Sequence, residues 1–557
     1  MDKDAYLEIN ASQRPALALF EAMGYTYISP ADCDRQRGSR YHVLLRDILR
    51  GQLRRLNRYV YAGAENEFSA ANIERAMEDL DEPLTDGLVR TSEKIYDALL
   101  LGKSYPETVG DGKMLSFNLR YIDWETPQNN MFHVTEEFAA DSRDRQHNAR
   151  PDIVLFINGI PFAVIECKAP HIPVDEAVGQ MIRNQQAAYI PQLFKFAQLV
   201  VATNKNAVKY ATAGTPKKFW NVWKEQDDDW LQTRLKALVP DRMPTEQDRN
   251  IVSLFSPERV YELIRYFILF DANVKKVCRY QQFFAVREIM KTIAESDEHG
   301  NRQSGVIWHT QGSGKSLSMV FYAHLLQEAL DSPTIVVLTD RNDLDDQLFG
   351  QFAKCKDFLR QEPVHATCRK LTETSSKNDV GLKDWLEGRQ ANGIIFTTMQ
   401  KFEESHEALS ERRNIIVMAD EAHRGQYGLT EKIKMTKNED GEEIAKRVVG
   451  TARIIRNSLP NATYIGFTGT PISSKDRSTR EVFGDYIDIY DMTQAVEDGA
   501  TRPVYYESRV IKLNLDEATL HMIDAEYEIM AHNADPEVIE KSKKTLGQME
   551  AILGNDN

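Results

Sequence analysis

The sequence predicts a multidomain α/β protein, an N-terminal mixed α/β domain followed by a doubly wound parallel sheet, and three observations carry that reading. The chain has 557 residues, more than one hydrophobic core accommodates, so two to four domains are expected. Short β-rich runs between about 115 and 205, "VLFIN", "FAVIE" and "AQLVVATN", surround one helical segment, "VDEAVGQMIRNQQAAYI", which makes a small α/β unit. From about 280 the strands turn purely apolar, "GVIWHT", "TIVVLTD", "GIIFTT", "NIIVMADEAH" and "TYIGFTGTP", each separated by helical sequence. Strands without polar alternation are buried on both faces, as in a parallel sheet covered by helices.

In chain order, residues 1 to about 110 read as α-rich, with "YHVLLRDILRGQLRRLN" spacing its apolar residues three and four apart. The segment "TPKKFWNVWKEQDDDW" mixes aromatic residues with clustered charge, and the stretch from there to about 260 reads as a connector. Residues 430–447, "TEKIKMTKNEDGEEIAKR", are charged and contain glycine, so a mobile surface insertion is expected. A net charge of −15 argues against a protein that binds nucleic acid over its whole surface but leaves room for a local basic groove. The five cysteines, at 33, 167, 278, 355 and 368, have no CxxC or metal-ligand spacing, which predicts free thiols in a reducing compartment and no zinc site. No apolar run approaches the roughly eighteen residues of a membrane span, and a cytoplasmic location is expected.

"GVIWHTQGSGKSLSMVFYAHLL" reads as a strand, a Gly-rich turn and an apolar-periodic helix. Gly312, Ser313 and Gly314 let backbone N–H groups curl around phosphate oxygens, and the helix N-terminus favours negative charge. Lys315 would reach the β and γ phosphates of ATP, and the Ser316 hydroxyl would bind Mg2+. His309 replaces the usual first Gly or Ala of the pattern. About a hundred residues on, "NIIVMADEAHR" closes an apolar strand with Asp420 and Glu421. There Asp420 can hold Mg2+ and Glu421 can orient or deprotonate the attacking water.

These segments resemble the superfamily 2 helicase and translocase family, whose signature "DEAH" stands at 420–423. "TGTP" at 468–471 looks like the motif that couples ATP state to DNA grip, and "LTDRNDL" and "FTTMQKF" resemble the DNA-backbone motifs. Thr397, Thr398 and Gln400 suit sequence-independent phosphate contacts. "RYQQFFAV" resembles the adenine-recognising segment, with Gln282 as its reader. The family's second RecA-like lobe brings an arginine in a "QxxGRxxR" motif, and nothing after residue 480 matches it. The expectation is a fragment that binds ATP, turns over little and does not translocate alone.

The stretch "RPDIVLFINGIPFAVIECKAP", 150–170, sets two apolar runs about Asn158-Gly159, a strong hairpin signal. Glu166 and Lys168, two apart on a strand, share a face. A strict two-residue loop pairs Asp152 with Ile165 and separates the carboxylates. A three-residue loop with a bulge pairs Asp152 with Glu166, and Pro161, which cannot donate to the ladder, makes such an irregularity plausible. With the second register a divalent cation would offset the repulsion of the two carboxylates. Asp152 and Glu166 would hold Mg2+, which activates a water against a phosphodiester, while Lys168 would position that water or stabilise the developing charge.

"PD" at 151–152 with "ECK" at 166–168 resembles the PD-(D/E)xK nuclease family, and Gln185 with Tyr189 forms a QxxxY expected on one helical face. Nuclease, phosphate loop and "DEAH" in this order resemble the motor (R) subunit of type I restriction-modification enzymes. The resemblance implies that the QxxxY helix supports the nuclease site and DNA handling. It also implies an endonuclease domain over 1–260, a first RecA-like lobe over 261–470 and an incomplete second lobe over 471–557. The implied activity is ATP-driven translocation and Mg2+-dependent cutting of unmethylated double-stranded DNA. It would work beside methyltransferase and specificity subunits, with S-adenosylmethionine belonging to the methyltransferase. The alternatives are another nuclease–helicase, in repair or stand-alone phage defence, and an ATP-binding structural protein with an inert hairpin.

Overall fold

The computed structural model describes residues 7–502, apart from 297, 299–300, 331, 341, 403–407, 423–430, 438–442, 450, 471–472 and 475–476, and residue 525. Residues 1–501 pack as one compact unit, and almost all of a second unit, 502–557, lies outside the described residues.

The N-terminal half is built on a six-stranded mixed sheet whose strands lie in chain order: β1 (Thr26–Tyr27), β2 (Phe132–Glu136), β3 (Ile153–Ile157), β4 (Ile160–Cys167), β5 (Leu199–Thr203) and β6 (Val208–Ala211). The β1–β2 and β4–β5 pairs are parallel and the others antiparallel. Every residue of β3, β4 and β5 is buried, so the hairpin is a core element covered on both faces. Helix α1 (Arg14–Ala22) buries Leu19 and Phe20, and Phe20 meets Phe255 of helix α3 (Glu246–Phe255) edge-on. Helix α2 (Val174–Asn184) crosses from β4 to β5 and buries Ala177, Val178 and Met181. The expected α-rich region is there, including a helix over Arg46–Leu56. It also holds a hairpin, Arg58–Tyr61 with Ala64–Glu67, whose turn residues Ala62 and Gly63 take positive φ.

The β3–β4 register differs in origin from what the sequence predicts. The loop has two residues, since Ile157 pairs with Ile160, and Asn158 and Gly159 take φ of 53° and 82°, as a primed hairpin turn requires. The extra residue enters later, as a bulge between Pro161 and Ala163, where proline leaves the ladder unbonded anyway. From there Ile165 pairs with Ile153, so one step on Glu166 lies across from Asp152. The turn is anchored in the core: Asn158 Oδ1 accepts from Gln52 Nε2 and from the Met131 N–H, and Nδ2 donates to Tyr121 O. A Cβ on Gly159 would stand 2.7 Å from Leu45 O. Strain at positive φ and that backbone clash together predict that Gly159→Ala costs about 2–4 kcal/mol, read as a fall in the urea midpoint of the full chain.

The second half is a seven-stranded parallel sheet: β7 (Gly305–His309), β8 (Thr334–Thr339), β9 (Val364–His365), β10 (Ile394–Thr398), β11 (Ile415–Ala419), β12 (Thr463–Thr468) and β13 (Tyr486–Tyr490), in the order β9-β10-β8-β11-β12-β7-β13. Adjacency of β11, β12 and β7 brings three carboxyl ends together, where open α/β sheets bind ligands. Two expected boundaries move. Residue 260 lies inside the helix Pro257–Tyr266, and the two halves pack continuously: Trp223 rests against Phe283 and Phe284, Tyr210 Oη donates to Cys278 O at 2.7 Å, and Lys224 pairs with Asp498 at 2.5 Å. The first lobe also runs past 470, because β13 is its edge strand. Across the expected mobile insertion at 430–447, Glu431–Lys437 and Glu443–Val449 pair as an antiparallel hairpin. All five cysteines are free, and no helix among the described residues is long and apolar enough to cross a membrane.

Candidate functional site

At the open end of the β3–β4 hairpin, Asp152 Oδ2 accepts the Cys167 N–H at 2.6 Å, which fixes the carboxylate across the ladder from Glu166. Lys168 Nζ lies 3.2 Å from Glu166 Oε1 and 2.8 Å from Cys167 O. Asp152 and Glu166 are buried, and Glu166 Oε2 has no hydrogen-bond partner. Burial raises the pKa of Asp152 despite the Cys167 N–H and the Lys168 charge, and burial followed by the Asp152 charge raises that of Glu166. For Lys168, burial opposes the charge, but the carboxylates of Glu166, Asp152 and Glu8 outweigh it and hold the ammonium above its ordinary value.

An unpartnered carboxylate oxygen in the interior costs free energy unless a cation satisfies it, so Asp152 and Glu166 fit a divalent metal. Among the described residues no three His, Cys, Asp or Glu converge as a ready cage; a hard cation here would complete its shell with water or phosphate oxygens. The raised carboxyls set a pH dependence. The folded chain retains protons that the unfolded chain releases, so the pair's contribution to stability is full below the unfolded carboxylate range and is lost as pH rises through the folded values. In EDTA the Tm of the parent should fall from pH 5 to 8 more steeply than that of the Asp152→Asn, Glu166→Gln double variant. Equal slopes would refute the buried pair.

The QxxxY reading is corrected. Helix α2 ends at Asn184; Gln185 is its C-cap, and Tyr189 lies in the following turn against His147. The two therefore do not share a helical face, and a helix joining parallel strands runs back along the sheet, so its last turn lies away from the Glu166 end. Gln185 Oε1 accepts the Gly214 N–H at 2.7 Å, beyond the far end of β6. It braces the 212–219 loop at the opposite end of the sheet from Glu166.

In the parallel sheet, β7 runs into the Gly-rich loop and helix α5 (Lys315–Ala329). Gly312 and Gly314 take φ of 84° and 95°, which curls the loop as phosphate binding needs. Ser313 Oγ is buried without a partner, and Ser316 is exposed at the helix start. Lys315 Nζ donates to His309 O at 3.2 Å, and a Cβ on Gly469 would stand 3.2 Å from that nitrogen, so the "TGT" turn closes against the lysine. Burial lowers the Lys315 pKa against the pull of Glu421 and Asp420; burial and then the Glu421 charge push Asp420 up to about 6. Glu421, at φ 46°, donates its N–H to Asp420 Oδ1. His309, at the departure from the phosphate-loop pattern, is buried with Nε2 2.5 Å from Asp488 of β13.

Gln282, in helix α4 (Tyr280–Ala294), is used as a brace: Oε1 accepts the Arg279 N–H and Nε2 donates to Gly314 O at 3.0 Å. Beside it a cavity of about 300 Å³ is lined by Arg279, Gln282, Gly312 and Gly314 on one side and by Thr215, Phe219 and Asn221 on the other. The N-terminal half thus forms one wall of the cavity next to the phosphate loop. Thr397 and Thr398 are buried at the end of β10, which removes them from a DNA-facing surface, whereas Gln400 is exposed and donates to Asp340 O at 3.0 Å. His423 and Pro471 lie outside the described residues. The sequence missed Glu8 and Gln13, which border the hairpin site; neither stands in a motif or spacing that could have marked it.

Fold and sites define a two-part class: a carboxylate-bearing core hairpin of nuclease type joined to a P-loop ATPase lobe. Residues 5–219 match the family model described as type I restriction enzyme R protein N terminus, and residues 281–540 match the SWI2/SNF2 ATPase model. The chain belongs to the R-subunit family of type I restriction enzymes. It is 35% identical over 504 residues to the type I restriction enzyme HindI endonuclease subunit of Haemophilus influenzae, covering 85% of this chain and 45% of that one. It is 26% identical over 423 residues to the type I restriction enzyme SsaAORF53P endonuclease subunit of Staphylococcus saprophyticus, covering 73% and 40%. The chain spans about half or less of the length of these curated relatives. Among solved structures it is similar to the ATP-dependent Type ISP restriction-modification enzyme LlaBIII bound to DNA, at 16% identity, TM-score 0.27, 41% of this chain and 16% of that one, a likeness too slight to carry weight.

Proposed function

We propose that this chain supplies the cutting site and the first ATPase lobe of a type I restriction enzyme, which translocates double-stranded DNA with ATP and cleaves it when it is unmethylated. The observation that carries the reading is the convergence of Asp152 and the unpartnered Glu166 Oε2 in one compact unit with the Lys315 phosphate loop. Residues up to the Pro257–Tyr266 helix do the cutting, and those from 268 to about 501 belong to the motor. The work takes place in the cytoplasm, beside methyltransferase and specificity subunits that recognise the DNA site.

At the hairpin, Asp152 and Glu166 would hold Mg2+, and Lys168 stands ready to offset charge developing on the attacked phosphate. When bound, Mg2+ polarises the scissile phosphate and makes a nucleophile of water near neutral pH. At the motor, the backbone of Gly312, Ser313 and Gly314 cradles the phosphates, Lys315 pairs with the β and γ groups, Ser316 and Asp420 would hold a second Mg2+, and Glu421 orients the attacking water. Gln282 fixes the loop, and the adenine occupies the cavity that ends at Phe219. Gln185, through the 212–219 loop, then supports the wall of the nucleotide site rather than the cutting site.

The deciding experiment mixes the full-length subunit carrying this sequence with its methyltransferase and specificity subunits, ATP, Mg2+ and plasmid DNA. Cleavage confined to unmethylated DNA and dependent on ATP and on both partners is the expected result. Partner-independent cleavage would move the chain to the repair or stand-alone defence reading, and no cleavage at all would overturn the nuclease assignment.

A further inference from the structure

The cutting site has a neighbour that no motif marks. The turn Ile9–Gln13 is a π-helix with Glu8 at its N-cap, running directly into α1, a rare form that is frequent at functional sites. It is fixed from behind: Ser12 Oγ donates to Gln247 Oε1 at 3.2 Å and Gln247 Nε2 donates to Ser12 O at 3.0 Å, both side chains buried. Gln13 Nε2 reaches Asp152 O at 3.4 Å, and its own Oε1 is buried without a partner. So held, the turn sets Glu8 Oε2 3.6 Å from Lys168 Nζ. The ammonium therefore stands between two carboxylates, Glu166 at 3.2 Å and Glu8 at 3.6 Å.

The two partners differ in exposure. The Glu166 side chain is 1% exposed and Glu8 is 35% exposed. A divalent ion bound by Asp152 and Glu166 brings a double positive charge next to an ammonium that now leans on Glu166, and like charges this close in a poorly solvated site repel strongly. We infer that Glu8 is the positioning residue of Lys168: it takes over the ammonium when a divalent cation engages Glu166, and so keeps the amine at the phosphate instead of losing it to solvent. This rests on the nuclease reading of Asp152, Glu166 and Lys168. It adds a partner exchange, in which Lys168 leaves Glu166 for Glu8.

Mn2+ titration by calorimetry, on the full 557-residue chain without nucleotide, tests the exchange without relying on activity. Parent, Glu8→Gln, Lys168→Met and the double variant form a cycle, and Asp152→Ala identifies the hairpin site. Glu8→Gln should weaken Mn2+ binding about tenfold, because the ammonium then faces the cation without a counter-charge, and Glu8→Asp should restore part of the loss. In the Lys168→Met background Glu8→Gln should cost much less, since only the direct pull of the Glu8 charge on the cation is then lost. Unchanged affinity in Glu8→Gln overturns the proposal, and so does an equal loss in both backgrounds, which would mean that Glu8 acts on the cation directly. If Mn2+ binding is indifferent to Asp152→Ala, the nuclease reading itself fails, an outcome distinct from the other two. Glu8 is partly exposed, so Glu8→Gln should melt with the parent in EDTA, which separates a lost contact from a lost fold.

Discussion

Asp152→Asn should reduce DNA cleavage by the complete complex about a thousandfold or more while leaving its ATPase rate within about twofold of the parent. The loss follows from position: Asp152 is one of two buried carboxylates that the hairpin brings face to face, and a metal deprived of one of two protein ligands loses several kcal/mol of charge stabilisation, at about 1.4 kcal/mol per tenfold in rate. The fold should not suffer. The amide oxygen of asparagine can still accept the Cys167 N–H that Asp152 accepts at 2.6 Å, and removing the Asp152 charge relieves the repulsion that, after burial, raises the Glu166 carboxyl. The variant should thus melt no lower than the parent in EDTA and gain less Tm than the parent on adding Mg2+, since a ligand stabilises only the state that binds it. Cleavage at the parental rate, measured on unmethylated plasmid with both partner subunits, would remove Asp152 from the site.

Lys315→Ala should weaken nucleotide binding about a hundredfold and abolish ATP-dependent cleavage, although Asp152, Glu166 and Lys168 remain intact. A lysine paired with phosphate makes charge-assisted contacts worth roughly 3 kcal/mol together when water is largely excluded. Burial lowers the Lys315 pKa against the charges of Glu421 and Asp420, a desolvation cost that a bound phosphate would offset. Its contact with His309 O at 3.2 Å is made by the loop to itself and is replaceable by water, so the Tm should hold. Titration with a fluorescent ATP analogue measures the affinity; an unchanged Kd would exclude the loop as the nucleotide site. Set beside Asp152→Asn, which stops cutting but spares ATP turnover, this variant separates the two chemistries.

Much of the fold was legible because it is written in local pattern. The apolar runs from 305 to 468 came out as strands of one parallel sheet, since a strand buried on both faces must be apolar throughout. The pairing of Asp152 with Glu166 was also readable, because side chains alternate and only one register puts both carboxylates on one face. The place where the extra residue enters was not: a three-residue loop and a late bulge give the same register, and the fit of Gly159 against Leu45 O selects the two-residue turn. Tyr189 misled because a four-residue spacing implies a shared face only while the helix lasts, and α2 ends at Asn184.

The sequence by itself determined the fold class of the chain and the strands that carry its motifs, because each depends on residues near one another along the chain. Tertiary structure alone decided that Glu8 stands 3.6 Å from Lys168, that Gln185 serves the 212–219 loop, and that residues near 219 wall the cavity beside Gly314. Those contacts join residues from 29 to 160 positions apart along the chain, and packing, not spacing, brings them together.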